Sequence, residues 1–119
     1  SILDFSIDTW QISPAVRAKK TAEIAASYFE QEPTIEINEQ LYTFSFFDLL
    51  KEVKKLDNNH QTAILFGHNE AFTEFANRMG NEYLENLPTA GIAILEFSSD
   101  SWSTIERGIT KTIIKPKNL

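Results

Sequence analysis

The sequence predicts an α/β domain of three layers, α/β/α, with a mostly parallel sheet and an antiparallel strand at its carboxyl-terminal edge. Three observations predict it. Thr62 to Phe66 is a short, continuously apolar run, the pattern of a strand covered on both faces, and Ile92 to Phe97 is a second strongly apolar run. Other stretches carry apolar residues at helical spacing, such as Phe72, Phe75, Ala76 and Met79. The resulting order is β α β α β α β β. Its strand-helix-strand passages favour parallel neighbours, and the last passage, with no room for a helix, favours an antiparallel pair.

Taken in order, Ile7 to Ile12 reads as the first strand, with Trp10 and β-branched residues around it. Ser13 Pro14 marks a helix start, since serine caps well and proline is tolerated at the first helical position. That helix is expected to reach about Gln31. Ala15, Ala18, Ala22, Ala25 and Phe29 form one face, small enough to approach a sheet closely, and Arg17, Thr21, Ile24 and Tyr28 form a neighbouring stripe. After Pro33, the alternating Thr34 to Asn38 reads as a second strand near an edge. Leu41 to Phe44 reads as a loop. Ser45 with Asp48 resembles a capping box, although Asp is shorter than the usual Glu or Gln. It opens a helix with Phe46, Leu49, Leu50, Val53 and Leu56 on its apolar side. Asp57 Asn58 Asn59 is a turn leading into the Thr62 to Phe66 strand. The next helix stops at Gly80, read as a C′ residue, with Glu82 and Glu85 beyond it in solvent. Leu87 to Gly91 is a compact loop, Ser98 to Ser101 a turn, Trp102 a packing residue, and Ile109 to Lys115 the last strand.

At 119 residues one domain and one core are expected, burying about two thirds of the surface of the unfolded chain. An apolar fraction of 42% and a charged fraction of 24% are ordinary for a globular protein. The lack of cysteine excludes disulfides, thiolate metal sites and a cysteine nucleophile, and it suits a reducing compartment. Ser1 to Asp4 carries no basic leader and the apolar runs are too short to cross a bilayer, so a soluble, cytoplasmic protein without membrane partners is expected. A net charge of -6 argues against nucleic acid, which needs a basic footprint. A small anion needs only one or two well-placed cations, and Arg17, Arg78 and Arg107 are the whole arginine supply.

The chemistry concentrates at Leu65 Phe66 Gly67 His68 Asn69, a tight strand-to-helix turn. Such turns lie at the carboxyl ends of strands, where α/β sheets bind ligands. His68 is the strongly reactive side chain there, Gly67 permits the turn, and Asn69 is expected to cap a helix whose first N–H groups favour an anion. Arg17 falls in the first turns of its own helix, where a guanidinium can clamp phosphate through two N–H bonds. Each has a plainer reading as well: His68 as a loop residue that caps or packs, Arg17 as a surface partner of a helix carboxylate. His60 cannot join His68, because eight residues of extended strand separate them by roughly 25 Å. His68 and Glu70 have no further histidine at a metal-ligand spacing, so no metal site is expected.

Three separated stretches also resemble one family. Ser13 Pro14 Ala15 Val16 Arg17 Ala18 Lys19 Lys20 Thr21 Ala22 Glu23 resembles the "SSPALRARQTAE" helix start of the histidine phosphatases, and Phe66 Gly67 His68 Asn69 resembles their "GHN" turn. Leu87 Pro88 Thr89 Ala90 Gly91, followed by Glu96 Phe97 and Asp100 Ser101 Trp102, looks like the closing segment of the SixA-type phosphohistidine phosphatases. The resemblance implies a phosphoglycerate mutase-like sheet and hydrolysis of a phosphoryl group through a phosphohistidine enzyme intermediate, with no metal or cofactor. The substrate it implies is a phosphorylated molecule, a phosphohistidine protein in the SixA case. Arg17 and His68 would hold the phosphoryl oxygens, His68 adding charge if protonated, while Ser13, Asn69, Thr89 and Ala90 would line the substrate site.

The family's nucleophile is the histidine of an Arg-His pair ending a first strand, and no Arg-His dipeptide occurs here. The chain therefore corresponds to a carboxyl-terminal portion of the family pattern, short by a strand, a loop and a helix of roughly 30 to 45 residues. The first strand lies inside the family sheet, so its loss predicts exposed strand edges and an inactive chain. Such a chain is expected to aggregate, form a strand-exchanged oligomer or recruit the absent piece. A phosphatase of small metabolites on the same frame, or a phosphate-binding module without catalysis, are the alternative readings.

Overall fold

The structure, a computed structural model, describes residues 7–26, 35–87 and 92–114, and of Val16 and Arg17 the backbone alone. Five strands and three helices follow one another as β1 (Thr9–Ile12), α1 (Val16–Ala26), β2 (Ile35–Ile37), α2 (Phe46–Lys54), β3 (Ala63–Phe66), α3 (Asn69–Met79), β4 (Ile92–Glu96) and β5 (Ile109–Ile114). Short 3-10 turns lie at Glu39–Leu41 and Trp102–Thr104. β1 is flanked by β2 and β3, both parallel to it. β4 and β5 form a separate antiparallel pair with an irregularity between Ile94 and Leu95. The expected α/β class, the parallel strands and the antiparallel terminal pair are all present. The expected single sheet is not, because among the described residues no ladder joins β3 to β4.

Side-chain alternation on the strands feeds two apolar clusters. Ile12 and Trp10 of β1, Phe66 of β3 and Ile92 of β4 are buried with Ala18, Ala22 and Ala25 of α1. The alanine face does what its size allows: with no long side chains in the way, α1 settles close to β1 and β3. Trp10 and Phe66 stack there, centroids 6.2 Å apart. Residues of opposite parity on β3, Ala63 and Leu65, join Leu49, Val53, Ala71 and Met79 of α2 and α3 instead. The period-two alternation of a strand thus assigns neighbouring residues of β3 to different cores.

Local chemistry sets the element ends. Ser45 is the N-cap of α2, its Oγ accepting from the Asp48 N–H at 3.4 Å. The short Asp48 side chain does not reach back to the Ser45 N–H. Thr43 bridges the gap, donating from Oγ1 to Asp48 Oδ2 at 2.9 Å and accepting from the Ser45 N–H at 3.0 Å. α1 begins at Val16, two residues later than Ser13 Pro14 predicts, because the Ala15 carbonyl takes the first helical N–H bonds, from Ala18 and Lys19. Gly80 follows α3 in extended conformation, φ -101° and ψ -172°, so it is not a left-handed C′ residue. Its small size is required for a different reason: a Cβ there would overlap the Thr110 hydroxyl and lie 2.8 Å from the Ala76 carbonyl oxygen.

Leu49 is fully buried between α2 and its neighbours, so Leu49→Ala is expected to lower the unfolding free energy by about 2–5 kcal/mol, read as a lower midpoint in urea. Asp8 accepts from the Gln61 and Thr62 N–H groups at 2.8 and 3.0 Å, and these bonds hold its carboxyl below the usual range. A depressed folded-state value means the stabilisation is present above the unfolded-state pKa of about 3.9 and is lost as pH falls through the folded value. The stability difference between the wild type and Asp8→Asn should accordingly shrink as pH is lowered below about 4.

Candidate functional site

The Ser13 N–H donates to the Phe66 carbonyl oxygen at 2.9 Å. This bond continues the β1–β3 pairing by one step and ties the residue that leads into α1 to the residue that leads into α3. Because β1 and β3 are parallel neighbours, both helices start at the same end of the sheet, above the carboxyl ends of adjacent strands. A crevice at that position is where open α/β sheets take ligands, and helix N-termini offer unpaired N–H groups to an anion.

His68 is the N-cap of α3, in extended conformation, with its side chain exposed. Its Nδ1 accepts from the Glu70 N–H at 3.3 Å, and its carbonyl accepts from the Phe72 N–H at 3.2 Å. With Nδ1 placed to accept, the hydrogen of a neutral ring lies on Nε2. Nε2 makes no hydrogen bond among the described residues and is free for a ligand oxygen. Gly67 is needed beside it: a Cβ there would lie 2.9 Å from the Leu41 carbonyl oxygen and 2.5 Å from the Phe72 ring.

Asn69 is not the cap that its residue type predicts. His68 reaches the Glu70 N–H first, and Asn69 becomes the first helical residue. Its amide is used elsewhere, donating to Asn86 Oδ1 at 2.9 Å and accepting from the Thr73 hydroxyl at 2.9 Å. Thr73 Oγ1 also accepts from the Leu87 N–H at 2.9 Å. The start of α3 therefore holds the segment that leads into the Leu87 to Gly91 loop. Thr89 and Ala90, in that loop, lie outside the described residues.

Ser13 is buried, with its Oγ accepting from the Ala15 N–H at 3.3 Å. Arg17 is the second residue of α1, and its side chain lies outside the described residues. The other two arginines are engaged away from His68. Arg78 pairs with Glu74 at 3.3 Å and lies over the Phe46 ring, while Arg107 donates to the Gly80 carbonyl. His60 stands where the strand geometry puts it, near the amino ends of β1 and β3, its carbonyl accepting from the Trp102 indole N–H at 2.8 Å. Among the described residues no cluster of three His, Cys, Asp or Glu could hold a metal ion, and no helix is long and apolar enough to cross a membrane.

One residue at the site has no signal in the sequence. Phe44 packs its ring on the His68 imidazole, centroids 3.9 Å apart and planes inclined at 58°. It sits in a stretch that reads as loop, more than twenty residues before the turn it covers, and only the tertiary fold brings the two together.

Comparison of the chain with protein-family models, with curated proteins and with solved structures returned no match. The geometry alone carries the site. It predicts that Thr73→Val, which removes both bonds made by the hydroxyl, costs about 1 kcal/mol. The same change should strip the Leu87 amide of its protection in hydrogen exchange while leaving β1 and β3 protected.

Proposed function

We propose that this chain is the phosphate-binding portion of a histidine phosphatase of the SixA type, on a three-layer sheet of phosphoglycerate mutase-like order. The observation that supports it is the Ser13 to Phe66 hydrogen bond. It sets the "SPAVR" helix start and the "FGHN" turn, far apart in sequence, side by side at the carboxyl ends of adjacent parallel strands. Arg17 is assigned as the guanidinium of the site by its match to the family's motif arginine. His68 donates its Nε2 hydrogen to a phosphoryl oxygen, a role that a neutral imidazole at a helix N-terminus can fill.

The nucleophile must come from outside this sequence, whose two histidines are His60 and His68. The divided sheet supports an origin in an additional strand. In β3 the Thr62 and Phe66 carbonyls accept from the β1 side, so by alternation the backbone groups of Ala63 and Leu65 point to the far edge, where no described strand meets them. β3 and β4 nonetheless share the α1 cluster through Phe66 and Ile92. An inserted strand ending in Arg-His would close the sheet and deliver its histidine beside His68. That histidine attacks phosphorus in line as the bond to the departing imidazole of the substrate breaks, and water then cleaves the new P–N bond to release inorganic phosphate. A phosphohistidine substrate suits a site without a dedicated general acid, because imidazole leaves more readily than an alkoxide.

Titration of the chain with inorganic phosphate tests the binding half of this reading. Arg17→Ala should weaken affinity about ten- to hundredfold, the scale of charge-assisted hydrogen bonds, and His68→Ala about tenfold. Unchanged affinity in both variants would overturn it. With an Arg-His strand supplied, the protein should release phosphate from a phosphohistidine peptide faster than from a panel of sugar and nucleotide phosphates. Preference for the panel would identify a small-metabolite phosphatase, and binding without turnover a non-catalytic module.

A further inference from the structure

We infer that Phe44 is a positioning residue of the His68 site: its ring holds the imidazole in the single orientation that keeps Nδ1 on the α3 N-terminus and presents the Nε2 hydrogen to an incoming oxyanion. The inference rests on the phosphate-binding reading for the identity of the ligand, but not for the geometry of the ring.

Phe44 is 59% exposed, so it adds little to either apolar cluster, yet its position is fixed from both sides. On one side Leu41 is fully buried, and the backbone turns tightly after it through the Tyr42 N–H to Glu39 carbonyl and Thr43 N–H to Leu41 carbonyl bonds. On the other side the Thr43, Ser45 and Asp48 hydrogen bonds lock the start of α2. A large apolar side chain placed so firmly in solvent has one ring contact among the described residues, the His68 imidazole. The geometry divides the labour. The Glu70 N–H selects the tautomer, because it needs a lone pair on Nδ1, but a single bond of 3.3 Å on an exposed ring leaves rotation about the side chain free to break it. The Phe44 ring, 3.9 Å away and inclined at 58°, is close enough to the imidazole to oppose that rotation. An oxyanion then meets a donor already aimed, which is the advantage of preorganised electrostatic sites over flexible ones.

The test uses the full chain, labelled with nitrogen-15, and reads the imidazole nitrogens of His68 by two-bond proton correlation in alkaline solution, with His60→Gln to assign the two histidines. Wild-type His68 should show the pattern of a ring protonated at Nε2. Phe44→Ala should move both nitrogens toward the averaged values of a freely exchanging imidazole and weaken inorganic phosphate binding about threefold, the scale of one neutral hydrogen bond left partly unset. Phe44→Tyr, which keeps the ring face, should restore both readouts. An averaged or Nδ1-protonated pattern in the wild type, or an Nε2 pattern and phosphate affinity that survive Phe44→Ala unchanged, would overturn the inference. A set tautomer that responds to Phe44 in a chain that binds no phosphate would overturn the proposed ligand and leave the positioning role standing.

Discussion

Everything at the candidate site depends on the parallel pairing of β1 with β3 and on the one bond that extends it, from the Ser13 N–H to the Phe66 carbonyl. A parallel pair puts both exits at the same end, and a single register decides which residues stand there together. Slipping that register by one residue would exchange the two sides of β3, sending Ile64 and Phe66 toward α2 and α3 and Leu65 toward the alanine face of α1. The cores therefore enforce the register, and the register places the two helix starts. Hydrophobic packing below the sheet end and polar chemistry at the sheet end are two consequences of one alignment.

Much of this was legible in the residues, for reasons that can be named. The alanine face of α1, the apolar stripe of α2 and the cap at Ser45 depend on spacing within one element, which a sequence displays directly. The failures occur where an element meets something distant in sequence. Gly80 looks like a helix-stopping glycine, but the constraint on it comes from Thr110, thirty residues later. Asn69 looks like a cap, but its amide is claimed by Asn86 and Thr73 while His68 takes the capping bond. Asp48 is too short for a capping box, and Thr43 makes up the distance. Phe44 carries no periodic or motif signal, since its partner lies in another supersecondary unit. Competition between side chains for the same backbone group is invisible until the fold decides which is nearer.

The divided sheet is the feature that the order of elements did not foretell. Strands of almost wholly apolar sequence are normally central strands, paired on both edges and covered on both faces. β3 and β4 have that composition, yet each is paired on one edge among the described residues, and Ile64, Leu65, Ala93 and Ile94 are only half-buried. An additional strand between them is part of the proposal, not of the described fold. Unpaired strand edges are sites at which another strand can add.

The proposed function requires the beginnings of α1 and α3 to hold one oxyanion between them. Backbone amide shifts measured during titration with inorganic phosphate test it most directly, because they report on the helix starts without depending on turnover. The amides from Val16 to Lys19 and those of Asn69, Glu70 and Ala71 should move together along one saturation curve. Movement at one helix start alone, or at the basic positions near the carboxyl terminus with both helix starts silent, would contradict it.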